Sequence, residues 1–176
     1  MKISVILTLD KASQDKINKL KQLLNKNRID TSIIVPHVTI AAFEACNEDS
    51  FISAVANFAA RQSAIPLTLA SIGTFMTPKN VIFYAPVMTD ALKDANRKIH
   101  KLILDKFYIT DKHYMPGSFV PHCTIASKIT DEQMAKAFVL LKTNNILPLD
   151  VVLDNLCVLQ IDSHPYKQVF CTNLKN

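Results

Sequence analysis

Apolar positions recur along this chain with two different periods, and the switches between them lay out an order of elements. Positions 3–9 are mostly apolar and β-prone, which predicts a first strand. Asp10 then offers an N-cap for a helix in which Ile17, Leu20 and Leu24 recur at helical spacing. A strand follows at 35–43. Asn47 can cap a second helix, with Phe51, Val55, Phe58 and Ala59 on its apolar stripe. Positions 66–75 predict a strand that ends at the turn-prone Thr77-Pro78-Lys79-Asn80.

The second half repeats this order. A strand is predicted at 81–87, and Leu92, Ala95, Ile99, Leu102 and Ile103 mark a long helix. A loop at about 110–118 leads into another strand. Thr130 with Gln133 predicts a capping box that opens a helix through Met134, Ala137, Phe138 and Leu141. Strands follow at 149–161, as two or as one with a bulge, and at 166–172. Each half thus runs β-α-β-α-β, which predicts an α+β protein of two duplicated lobes across a cleft. No linker rich in Gly, Ser or Pro divides them, so a single domain over 1–176 is expected.

Composition alters this picture little. Hydrophobic residues make up 49% and charged residues 20% of the 176 positions. A chain of this length buries roughly 70% of its unfolded surface, so it needs no disulfide or metal to fold. A net charge of +5 tilts the protein mildly towards anionic partners such as nucleic acid or phosphorylated small molecules. The cysteines Cys46, Cys123, Cys157 and Cys171 form no CxxC and no zinc spacing. The last three lie in apolar, strand-like surroundings as small core residues, which predicts reduced thiols and a cytoplasmic location. The apolar run of "MKISVILTLD" stops at Asp10-Lys11 without a cleavage site of small residues, so it is read as a strand rather than a signal peptide. No apolar stretch approaches the roughly 20 residues of a membrane span. With only Gly73 and Gly117 in the chain, glycine-rich phosphate loops and dinucleotide fingerprints are excluded.

The chemistry lies in a doubled phrase. "VPHVTIAAF" at 35–43 returns as "VPHCTIAS" at 120–127, with His37 and His122 85 residues apart. In a strand, residues i and i+2 share a face. His37 therefore projects with Thr39, and His122 with Thr124, while Val38, Ile40, Cys123 and Ile125 point to the core. Two imidazoles and two hydroxyls would converge in one cleft. An imidazole titrates near neutral pH, so one His can serve as base while the other serves as acid. Opening a phosphodiester needs both, at water and at the leaving oxygen. Hydroxyls can donate to the non-bridging oxygens, where charge accumulates. This scheme requires neither metal nor cofactor. A two-histidine metal site is the weaker alternative, because no Asp, Glu or Cys sits at supporting spacing.

The two phrases, at 37–40 and 122–125, resemble the paired His-x-Thr/Ser motifs of the 2H phosphoesterase family. The resemblance is strongest to its 2′-5′ RNA ligase and 2′,3′-cyclic phosphodiesterase branch. It covers nearly the whole chain and implies a bilobed fold with two antiparallel sheets lining a central cleft and helices outside. It also implies metal-independent hydrolysis of 2′,3′-cyclic phosphates or 2′-5′ linkages at RNA ends or nucleotides. On this chain it implies His37 as the donor to the leaving ribose oxygen and His122 as the base that activates water, roles the sequence allows to be exchanged. Thr39 and Thr124 would bind the phosphate. Tyr166, in "DSHPYKQVF", matches an aromatic residue of the family's last strand region and is expected to touch substrate. The Arg-rich segment of that region is reduced here to Lys167, which argues against tight binding of a long RNA. The protein is expected to act as a monomer, away from membranes. An RNA-end or nucleotide binding protein of the same fold with little turnover is the alternative from another class.

Other residues carry blander expectations. His113 and Tyr114 are read as solvated loop residues, although their loop could cover the cleft. His164 is read as a turn residue, and His100 as lying on the polar side of its helix. Lys16, Lys19, Lys21, Lys26 and Arg28 form a solvated basic face. Phe43 and Phe75 are read as core.

Overall fold

The computed structural model describes residues 2–44, 48–103, 108–109, 111–144, 147–163 and 165–175. Cys46, Asn47 with its expected cap, and His164 lie outside these residues. The element order is β1 (Lys2–Leu9), α1 (Lys11–Lys26), β2 (His37–Glu44), α2 (Glu48–Ala59), β3 (Ile65–Phe75), β4 (Asn80–Pro86) and α3 (Asp90–Ile103). It continues with β5 (Tyr108–Ile109), a short 3-10 turn (Lys112–Tyr114), β6 (Cys123–Ile129), α4 (Asp131–Thr143), β7 (Leu149–Gln160) and β8 (Lys167–Asn173).

The strands are antiparallel, in the order β5-β2-β1-β7-β3-β4-β6, with β8 also on β7. β7 splices two lobes. Its first part, Leu149 to Leu153, pairs with β3, while Leu153 to Gln160 pairs with β1 and the far end with β8. The first lobe is therefore β5-β2-β1-β7-β8 and the second is β3-β4-β6. The third strand of each half has crossed over: β3 joins the second lobe, and β7 mostly serves the first.

Alternation divides each strand between a core face and a cleft face. On β1, Ile3, Val5, Leu7 and Leu9 join Ile17, Leu20 and Leu24 of α1 in the main core, while Ser4 and Ile6 face the cleft. Each fully buried side chain of this kind contributes about 1.5–3 kcal/mol. Bulges change the alternation where the core requires it. Opposite β1, Ile40 is an extra residue of β2; opposite β4, Ile125 is an extra residue of β6. The doubled phrase thus carries matching bulges at its two isoleucines. Asp154 is a further extra residue on β7, where the core set passes from Leu149, Val151 and Leu153 to Leu156 and Val158.

Helix starts follow the capping chemistry expected. The Asp10 carboxylate accepts from Ser13 N–H at 2.9 Å and from Val152 N–H at 2.9 Å, fastening α1 to β7. The capping box of Thr130 and Gln133 is formed in both directions. Phe138, expected on the core stripe of α4, is instead 36% exposed, and Ala137 and Leu141 make the contact with the core.

The reading of the cysteines is also corrected. Cys157 and Cys171 lie directly opposite on β7 and β8 and are joined by a disulfide, so this pair is not two reduced core thiols. Cys171 is exposed, while Cys123 is buried and free as expected. Among the described residues no helix is long and apolar enough to cross a membrane.

Candidate active site

The two motif strands place their histidines at one cleft between the lobes, with a volume of about 840 Å³. His37, Thr39, His122, Thr124 and Tyr166 all line it. Val38, Ile40, Cys123 and Ile125 are fully buried on the opposite face. The strands also meet: the His37 backbone hydrogen-bonds the Cys123 sulfur, whose thiol is pushed up to about 11 by burial and stays neutral.

Both imidazoles are held in the same way. His37 Nδ1 lies 2.7 Å from the Val35 carbonyl, and His122 Nδ1 lies 2.9 Å from the Val120 carbonyl. A carbonyl only accepts, so Nδ1 carries the proton in each ring and Nε2 is left with its lone pair. The intervening prolines contribute here. A residue before proline is driven into extended backbone, which presents the carbonyls of Val35 and Val120 to the rings two positions on. The Pro of the doubled phrase is thus part of the histidine's mounting.

The surroundings of the two rings differ. His122 sits among aromatics: Phe75 meets it edge-on at 5.0 Å, Phe83 lies at 5.4 Å, and Tyr114 is stacked at 6.3 Å. This burial lowers its pKa, while the Val120 carbonyl and Asp111 act the other way. Burial likewise pushes His37 down, to about 4, and the charges of Lys21 and His122 add to the effect. In the free protein, burial thus disfavours the charged form of both rings.

Tyr114 belongs to the site, contrary to the expectation of a solvated loop residue. It lines the cleft, and its phenol shares a hydrogen bond with the Thr39 hydroxyl. Asn96, buried in α3, holds it there: its Nδ2 donates to the Tyr114 carbonyl at 2.7 Å and to the Ile40 carbonyl at 2.8 Å. One side chain thus ties the loop to the bulge of the first motif. His113 remains exposed at the cleft edge and pairs with Asp111 at 2.7 Å.

Three more readings change. Phe75 is a half-buried cleft residue rather than core, while Phe43 is core as expected. Gly73 makes room behind it, since a β-carbon there would overlap the Phe83 ring. His100 is not on a polar helix face; it is 1% exposed, with Nδ1 on the Asn96 carbonyl at 2.8 Å and its ring against Phe43. Lys21 is buried, unlike the exposed Lys16, Lys19, Lys26 and Arg28. A signal for both existed. Lys21 falls four positions after Ile17, and His100 three before Ile103, which places each on its helix's apolar stripe.

Among the described residues no group of three His, Cys, Asp or Glu is placed to hold a metal. Charged groups at the cleft are few, with Asp30, Asp111 and Lys128 along its lining. Its rim is apolar: Ile33 is 82% and Val120 55% exposed, and Met76, between two lining residues, is 78% exposed.

Comparison with known proteins places this arrangement. A family model described as the 2′-5′ RNA ligase superfamily matches residues 9–165. A Bacillus cytotoxicus protein named as a phosphoesterase is 29% identical over 138 residues, covering 77% of this chain and 74% of its own. The crystal structure of TT0787 of Thermus thermophilus superimposes with a TM-score of 0.65 at 14% identity, covering 100% of this chain and 99% of that one. That of Escherichia coli LigT complexed with 3′-AMP gives 0.63 at 12% identity, covering 99% and 98%. LigT has also been crystallised with NADP+ and with ATP.

Proposed function

Because the chain belongs to the 2′-5′ RNA ligase superfamily of 2H phosphoesterases, we propose that it is a phosphodiesterase that opens 2′,3′-cyclic phosphates on nucleotides or RNA ends, or cleaves 2′-5′ linkages, by two-histidine acid–base catalysis. The observation that carries this reading is the paired mounting of His37 and His122. Each ring commits Nδ1–H to a backbone carbonyl and keeps Nε2 for chemistry.

The step balances with groups at the cleft. One Nε2 takes a proton from water as its oxygen bonds to phosphorus. The bond from phosphorus to a ribose oxygen breaks, and that oxygen takes the proton carried by the other imidazole. Each transfer is typically worth about 10²–10⁴-fold in rate. Thr39 and Thr124 donate to the non-bridging oxygens, with Tyr114 fixing the Thr39 hydroxyl. The apolar rim of Ile33, Met76 and Val120, with Phe75 and Tyr166, suits a nucleobase or ribose beside the phosphate. The nucleotides seen in LigT support a ligand of this size.

The test is turnover of 2′,3′-cyclic nucleotides in the presence of EDTA. Activity that survives, and falls by about 10² or more in both His37→Ala and His122→Ala, is the expected result. Binding without turnover, or unimpaired activity in either variant, would reject the mechanism.

A further inference from the structure

Lys128, four positions after Thr124 on β6, has a φ of 62°, in the left-handed region that residues other than glycine, asparagine and aspartate seldom occupy. It is an extra residue in the strand pairing, since Asn80 lies opposite Ile129 and Val81 opposite Ser127. The bulge decides which side chain reaches the core. Ser127 lines the cleft, so plain alternation would send Lys128 inward and Ile129 out. With the extra residue, Ile129 is 1% exposed and Lys128 lines the cleft. Glycine would take this backbone without strain, so the bulge by itself does not call for a lysine.

Its ammonium has no structural task to explain it. Among the described residues it forms no hydrogen bond or ion pair, and it is the one lysine or arginine on the cleft lining. Hydroxyls line the cleft on the elements around it: Ser127 next to it in β6, Thr31 on the segment that bridges to Ala126, and Thr77 just past β3. Asp30, the carboxylate on that bridging segment, does not pair with it. The phosphate that reacts belongs elsewhere, between the histidines and at Thr39 and Thr124. Lys128 stands up to about 13 Å further along β6 than Thr124. A free cation held there on an unfavourable backbone is placed for an anion other than the reacting phosphate.

We propose that Lys128 forms a second anion subsite, which binds a phosphate of the substrate that is not cleaved. This rests on the phosphodiesterase reading above and narrows it: the preferred substrate carries one phosphate besides the one that reacts. A 5′-phosphate on a mononucleotide and the next phosphodiester of a short RNA end offer the same chemistry, anionic oxygens that an ammonium meets as a point charge. Ser127 adds a hydroxyl donor beside it. One ammonium on the described lining matches one such group and not a track of phosphates.

Calorimetry on the full chain tests this with three ligands: adenosine 3′-monophosphate, adenosine 3′,5′-bisphosphate, and an adenylyl dinucleotide ending in a 3′-phosphate. The wild type should bind the bisphosphate, the dinucleotide or both about tenfold or more tighter than the monophosphate. Whichever gains identifies the source of the second phosphate. Lys128→Gly removes the charge and relaxes the backbone. It should melt no lower than the wild type, lose most of that preference and bind the monophosphate unchanged. Lys128→Arg should keep the preference. The salt dependence of binding the favoured ligand should become shallower by about one in Lys128→Gly. On cyclic substrates the same variant should raise KM only where a second phosphate is present, with kcat unmoved. Equal wild-type affinity for all three ligands, or a preference undiminished in Lys128→Gly, overturns the proposal. Because binding is read without turnover, that failure leaves the hydrolysis of cyclic phosphates standing, whereas a protein that binds none of the three loses both readings.

Discussion

The Tyr114 ring lies stacked on His122, with centroids 6.3 Å apart and planes 25° apart, while its phenol bonds Thr39 of the other motif. One residue from a short 3-10 turn therefore touches both halves of the site. Tyr114→Phe removes the hydrogen bond and keeps the stack. It should lower kcat several-fold, up to about tenfold, the scale of a neutral hydrogen bond of about 0.5–1.5 kcal/mol. Tyr114→Ala removes both and should cost more. Steady-state kinetics on a cyclic nucleotide check the order; equal rates in wild type and Tyr114→Ala would contradict it.

Asn96 supports that residue from behind. Asn96→Ala leaves the Ile40 and Tyr114 carbonyls without their donor and opens a small gap. A loss of about 1–3 kcal/mol in urea unfolding is expected, together with reduced activity. Asn96→Ala with wild-type stability would show that the buried amide is dispensable.

The mounting of His122 also depends on a residue with no side chain. Gly73→Ala would drive a methyl group into Phe83, which packs on both Phe75 and His122. Overpacking of this kind costs about 1–3 kcal/mol, and here the displaced ring presses on a proposed catalytic group. Lower thermal stability and lower kcat should appear together. The crystal structure of the variant should show His122 shifted.

Stability should fall on mild acidification. Burial holds His37, His122 and His100 below the ordinary imidazole range, His37 at about 4. Between pH 6.5 and 4 the unfolded chain then binds more protons than the folded one, so stability rises with pH across that window and is complete above it. Thermal melts from pH 7.5 to 4.5 should show a falling midpoint, with a shallower decline in His37→Asn. Identical slopes in the two proteins would remove His37 as a cause.

The motif strands were legible because a period of two assigns faces without tertiary knowledge, and their duplication made the assignment specific. His37, Thr39, His122 and Thr124 reach the cleft by that rule, and Val38, Ile40, Cys123 and Ile125 reach the core. Lys21 and His100 escaped because polar residues were assigned to solvent by type. Their positions on the apolar stripes of α1 and α3 carried the opposite message. Tyr114 was legible only as part of a loop that could cover the cleft: its place in the site depends on Asn96, eighteen residues earlier, and on a turn with no periodicity. The crossed strands were equally hidden, since the order of elements along a chain does not determine which edge each strand joins.

That crossing has a consequence for the chain as a physical object. If it were cut at the exposed turn at 77–79, the first piece would carry β3 without β4 to pair with it. The second would carry β7 without β1. Each fragment would display an open strand edge whose natural complement lies on the other. The halves that look like repeats in the sequence are thus interlocking parts. Two such pieces, mixed, would regain order only together, and the cleft would reappear with them.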